Sequence, residues 1–162
     1  MSYNLGVTPG KLGFRIKKMG LIDFNRLYGE SKMFFDEYKY FFNETTHKGK
    51  ASGDKGSKLE IKWLSTRDVD DFARFQIKVN ILLFKVNEIR SLYSCEMYIY
   101  VEGAVVLDYK NKWETSGFRS FLFNLYRKHI IRREIEKDYQ GVLYGEIQEL
   151  RGLMKSILDE YD

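Results

Sequence analysis

The stretch Asp71–Asn87, DFARFQIKVNILLFKVN, constrains the fold more than any other part of the chain. Phe75, Ile77, Val79, Ile81 and Leu83 alternate with Arg74, Gln76, Lys78 and Asn80. Successive side chains of an extended backbone point to opposite faces, so this pattern predicts a long β-strand with one buried face. Leu82 and Phe84 interrupt the polar row and predict cover on the second face towards the strand's end.

The flanking segments supply partners for that strand. Residues 1–11, punctuated by Gly6, Pro9 and Gly10, read as a loose arm, and Leu12–Met19 reads as an edge strand. Tyr38–Thr46 alternates, and so do Leu59, Ile61 and Trp63 with Glu60 and Lys62. Between them His47–Lys58, HKGKASGDKGSK, has the composition of a hairpin loop. After Asn87 a short strand or turn leads to Tyr93–Glu102, with Cys95, Met97, Ile99 and Val101 on one side and Tyr98 and Tyr100 on the other. Gly103 allows a bend or bulge, and Val105–Tyr109 continues as a strand.

Elsewhere the period is helical. Leu27, Tyr28, Phe34, Phe35 and Tyr38 share a face, with Asp23 as N-cap and Ile22 placed to staple onto Leu27, which predicts a helix over about 24–36. From Ser116 the helical rhythm persists to the end. Phe118, Phe121, Leu122, Leu125, Tyr126 and His129 form one run, packed in the core rather than lying on a membrane surface. Ile135, Tyr139, Leu143, Ile147, Leu150, Met154, Ile157 and Tyr161 form a second line, expected to pack on the sheet. Gly141, Gly145 and Gly152 follow one side of it, which suggests close approach of another backbone or a break near Gly141.

The expected fold is therefore α+β, a single domain over 12–162. An antiparallel sheet of five to seven strands fills the strand-rich 38–109 region, with an early helix and long C-terminal helices (116–161) packed on one face. Hydrophobic residues at 44% and charged ones at 31% fit a globular chain, and twelve Tyr with twelve Phe promise a thick aromatic core or contact surface. No apolar run approaches the ~20 residues of a membrane span, and a lone cysteine excludes an internal disulfide, so a cytoplasmic location is expected.

The strings EYKYFFNETTHKGK, LEIKWLSTRDVDDFARFQI and LYRKHIIRREIE resemble a group of small uncharacterised archaeal proteins over roughly residues 23–160. That resemblance implies an α+β domain and an archaeal source, and it carries no activity. The element order is also similar to helix-grip ligand-binding domains, in architecture alone.

No GxSxG, GxGxxG, P-loop or HExxH is present, and one cysteine makes CxxC impossible, so neither catalysis nor a cofactor is expected. Asp68, Asp70 and Asp71 lack calcium-loop spacing and read as turn residues. His47 and His129 read as surface or core-edge residues, and Cys95 as a small buried hydrophobe. Net charge is +4, with residues 115–137 basic and residues 138–162 acidic, a polarity that suits a protein partner or a second copy. The primary expectation is thus a non-enzymatic interaction or assembly module. Nucleic acid is the alternative partner, and binding of either a partner or nucleic acid is expected at Arg74, Lys78, Tyr98 and Tyr100 on the sheet and at Arg127, Lys128, Arg132 and Arg133 on the helix. A third reading is a carrier of a hydrophobic ligand, lined by Met97 and Met154 between the sheet and the last helix.

Overall fold

The computed structural model describes residues 2–50, 56–112, 117–129 and 135–159. Asp71–Asn87 falls almost wholly within β5 (Ala73–Ile89), the 17-residue centre of a six-stranded antiparallel sheet. Phe75, Ile77, Val79, Ile81 and Leu83 are all 0–1% exposed. β5 pairs on one side with β4 (Ser57–Asp68), which pairs in turn with β3 (Phe41–Lys50). On its other side lies β6 (Leu92–Leu107), joined by a tight hairpin in which Arg90 and Ser91 both take positive φ. Of the short strand or turn expected after Asn87, the structure has the turn, placed at Arg90–Ser91.

The outer edge of β6 is covered by two strands placed end to end. β1 (Tyr3–Gly6) pairs with Ala104–Leu107, and β2 (Phe14–Ile22) pairs with Tyr93–Val101. The segment read as a loose arm thus holds an edge strand, and the loop carrying Pro9 bulges out between the two. Val7 N–H donates to the Gly103 carbonyl at 2.9 Å, and Gly103 N–H donates to Thr8 Oγ1 at 3.3 Å, so the loop mouth is tied to β6. Proline has no N–H to offer a ladder, and here it sits where none is needed. Gly103 makes no bulge, since it pairs in register with Ile77. A Cβ there would lie 2.1 Å from Ile147 Cδ1, so the residue is small because the last helix presses on β6.

The early helix, α1 (Phe24–Glu37), starts where Asp23 accepts a 2.9 Å hydrogen bond from Arg26 N–H. It stops one residue later than expected, at Tyr38, which caps the helix instead of opening a strand. Lys39 takes φ +59°, its N–H bonding to Asp36 O, while Tyr40 N–H bonds to Phe35 O at 2.8 Å. This is the Schellman closure, sealed by the Phe35–Tyr40 ring contact at 5.8 Å. Regular strand begins only at Phe41, and it runs to Lys50 through much of the predicted loop; the tip, 51–55, lies outside the described residues.

The C-terminal helices divide. A π-helical turn, Ile135–Gln140, leads into α3 (Gly141–Asp159), so the helix type changes at Gly141. Leu143, Ile147, Leu150, Met154 and Ile157 are buried, and α3 packs against α1, β6 and β2. Among the described residues nothing lies within 4 Å of a Cβ built at Gly145 or Gly152, so of the two expectations for the glycine stripe it is the break near Gly141, not close approach of another backbone, that the structure has. α2 (Gly117–His129) departs from expectation most. Phe121, Leu122, Leu125 and Tyr126 are exposed rather than packed in the core.

The core therefore lies between one face of the sheet and the pair α1 and α3. Tyr28 meets Trp63 edge-on at 5.3 Å, and Phe24, Phe35, Phe42 and Tyr93 extend the aromatic layer.

Candidate interaction surface on the open sheet face

With both packed helices on one side, the register of β2, β4, β5 and β6 places a set of residues on the other. Asn80 opposes Tyr100 and Lys62, Leu82 opposes Tyr98 and Glu60, and Lys78 opposes Glu102 and Leu64. Arg15 and Lys17 of β2 lie beyond Tyr100 and Tyr98. Among the described residues no element covers this face, whose side chains are half-buried or exposed.

Two depressions run along it and share Tyr100. One, about 270 Å³, is lined by Leu12, Thr45, Lys62, Leu64, Lys78, Asn80, Tyr100 and Glu102, with Trp63 and Val79 at its base. The other, about 420 Å³ and shallower, is lined by Leu82, Phe84, Glu96, Tyr98 and Tyr100. Apolar walls, charged rims and a two-tyrosine ridge therefore form one groove. Asn80 Oδ1 on its floor is buried and accepts no hydrogen bond from the described residues. Buried polar atoms are nearly always paired, so this closed-off oxygen is an unsatisfied acceptor beneath the groove and not part of its open surface.

The charges here are largely matched. Tyr98 OH donates to Glu96, while Lys17 stands 3.6 Å from the same carboxylate and 5.4 Å from the Tyr98 ring. That hydrogen bond, aided by Lys17 and Lys85, holds Glu96 below the ordinary carboxylate range. Lys62 pairs with Glu60 at 3.0 Å, and the edge of the Phe84–Tyr98 pair closes the far end at 6.0 Å.

Lys78, Tyr98 and Tyr100 are thus gathered at the groove, as the alternation predicts. Arg74 is not. It opposes Val106, and the ladder runs eight residues from there to Tyr98, roughly 27 Å at about 3.4 Å per residue. There it is bidentate on Asp68 and stacked 4.3 Å over Tyr109. Of the helical candidates, Lys128 is exposed on α2, Arg127 lies on α2 with its side chain outside the described set, and Arg132 and Arg133 lie outside the described residues. Leu12, Lys62, Leu64, Leu82 and Phe84 complete the groove. The break in the polar row at Leu82 and Phe84 signalled this, but it marks a groove wall and not cover by another layer.

The aspartates between β4 and β5 build a turn. Asp70 Oδ1 accepts from Phe72 N–H and Ala73 N–H, both at 2.7 Å, and Oδ2 accepts from Tyr139 OH at 2.7 Å. Although burial opposes it, these bonds keep the Asp70 carboxyl below its usual range. Lys110 and Lys112 do the same for Asp71.

A second polar cluster, absent from any sequence signal, lies under the sheet. Glu146 of α3 accepts from Arg67 Nη2 at 2.7 Å and from Tyr40 OH at 2.5 Å. Arg67 Nη1 donates to the Tyr38 carbonyl at 2.8 Å, its guanidinium lying 4.7 Å from the Tyr40 ring and 5.1 Å from the Phe75 ring. Glu146 on α3 is thereby joined to Arg67 on β4 and to Tyr40 ahead of β3, and the cluster ties helix to sheet.

Cys95 is buried, and burial raises its thiol from 9.0 to about 11. The neutral form is favoured by the fold, so this group's contribution to stability is full below pH 9 and lost as pH rises towards 11. Alkylation at pH 8 should accordingly be slow in the native protein and rapid after unfolding in urea; fast native labelling would contradict the burial.

No protein-family model, curated protein sequence or solved structure matches this chain.

Proposed function

We propose that the chain is a non-catalytic protein-interaction module whose open sheet face binds an extended segment of a protein partner. The groove through Leu64, Asn80, Leu82, Tyr98 and Tyr100 carries this reading. Apolar walls give a peptide's side chains somewhere to bury, and charged rims select its neighbours. Tyrosine is enriched in such surfaces because its rigid ring has a polar tip.

Single-stranded nucleic acid is the second reading, favoured by Lys62 and Lys78 flanking Tyr100. Against it, Tyr98 already carries Lys17 and Phe84, and Glu60, Glu96 and Glu102 share the face and oppose phosphates. A hydrophobic-ligand carrier draws less support, because Met97 and Met154 are 0% exposed within the core and both depressions lie on the opposite face.

Panning a random peptide library against the folded protein tests the proposal. Selected peptides should shift the amide resonances of Leu64, Asn80, Leu82 and Tyr100, and Leu82→Lys should weaken them at least tenfold with its unfolding midpoint unchanged. Peptides that bind Leu82→Lys equally well would overturn the assignment. Salt-dependent binding of oligonucleotides with the same shifts would replace it with the second reading.

A further inference from the structure

We propose that α2 is a membrane-surface helix that lies on anionic lipid, a property independent of the groove on the sheet. Gly117–His129, GFRSFLFNLYRKH, contains no Asp or Glu. An α-helix advances about 100° per residue, so Phe121, Leu122, Leu125 and Tyr126 fall within one arc, with Arg119 at one flank and Lys128 at the other. The apolar residues of this arc are 62%, 40%, 45% and 43% exposed, and no described element packs extensively on the helix.

Three surfaces could cover such a face, and two of them use only half of it. Nucleic acid would meet the cations but leave the Phe and Leu side chains in water. An apolar cleft in a protein would take the arc but gives no reason for carboxylates to be missing. Anionic lipid meets both features, because the arc enters the acyl boundary while flanking Arg and Lys side chains reach the phosphates. At about 1.5 Å per residue the helix is roughly 20 Å long, and no described helix is long and apolar enough to cross a membrane, so it lies flat.

Co-sedimentation of the full chain with sucrose-loaded vesicles tests this, using phosphatidylcholine alone or mixed equally with phosphatidylglycerol. The protein should pellet with the mixed vesicles, be released by high salt, and stay soluble with phosphatidylcholine alone. Lys128→Gln should weaken partition roughly fivefold, the effect of one cation near the surface. Phe121→Ser with Leu125→Ser should abolish it, with far-UV circular dichroism showing the fold retained. Equal binding to both vesicle types, or none, overturns the proposal. So does a dimer dissolved by Phe121→Ser in the absence of vesicle binding, or oligonucleotide binding unaffected by that substitution.

Discussion

Glu146→Ala should lower the free energy of unfolding by about 3 kcal/mol, measured by urea denaturation. Removing one partner of a buried ion pair costs on the order of 3–5 kcal/mol because the other charge stays behind in a poor solvent. Here the Arg67 side chain is 21% exposed and that of Glu146 10%, so water reaches part of the pair and the low end applies. The substitution would strand Arg67 Nη2 and the Tyr40 hydroxyl together. Glu146→Gln, which keeps an acceptor oxygen, should lose less. A double-mutant cycle with Tyr40→Phe should show coupling, since both bonds end on one carboxylate. A loss below about 1 kcal/mol for Glu146→Ala would mean that α3 is held by its apolar face alone.

The same cluster sets an alkaline limit. Burial first, and then the bond to Glu146, push the Tyr40 phenol well above its ordinary 10.0. A raised native value contributes stability that is full below pH 10 and is lost as pH climbs beyond it, where the unfolded chain ionises and the folded one does not. Tyr40→Phe should therefore flatten the decline in stability above pH 10.

Gly13→Ala should cost at least 3 kcal/mol, lowering the thermal midpoint by roughly 10 °C for a chain of this size. Gly13 has φ +74°, and a Cβ there would stand 2.0 Å from the Val101 carbonyl oxygen and 2.9 Å from Glu102 Cα. Left-handed backbone alone costs an L-residue about 1–2 kcal/mol, and the clash adds more because the obstacle is backbone. Val101 cannot retreat, being paired with Val79 on one side and Phe14 on the other. Gly10→Ala is the control. Its φ is +64°, yet nothing lies within 4 Å, so only the conformational part should appear. Hydrogen exchange should localise the damage to β2. Equal losses at Gly10 and Gly13 would refute the close approach.

How much of this was legible in the chain varied with the range of the interaction involved. The two-residue rhythm of Phe75–Leu83 needed no partner to be read, and the cap at Asp23 involves a residue only three positions away. Lys78, Tyr98 and Tyr100 could be placed on one face by parity alone, but Arg74 shares that parity and sits at the far end of the ladder. Parity gives the face; the strand register gives the distance. The Tyr38–Tyr40 alternation resembled a strand because two aromatic side chains flank Lys39, whereas the backbone uses that residue to turn out of α1.

The amino-acid order by itself determined that the central strands extend, that α1 and the last helix coil, and which of their faces are apolar, since those preferences act between neighbours a few positions apart. Only the tertiary structure decided that Leu82 and Phe84 wall an open groove, that Glu146 meets Arg67 across 79 positions, and that the apolar arc of α2 remains in solvent. Whether an apolar face is covered depends on which other surface the folded chain can bring to it, and no local pattern carries that information.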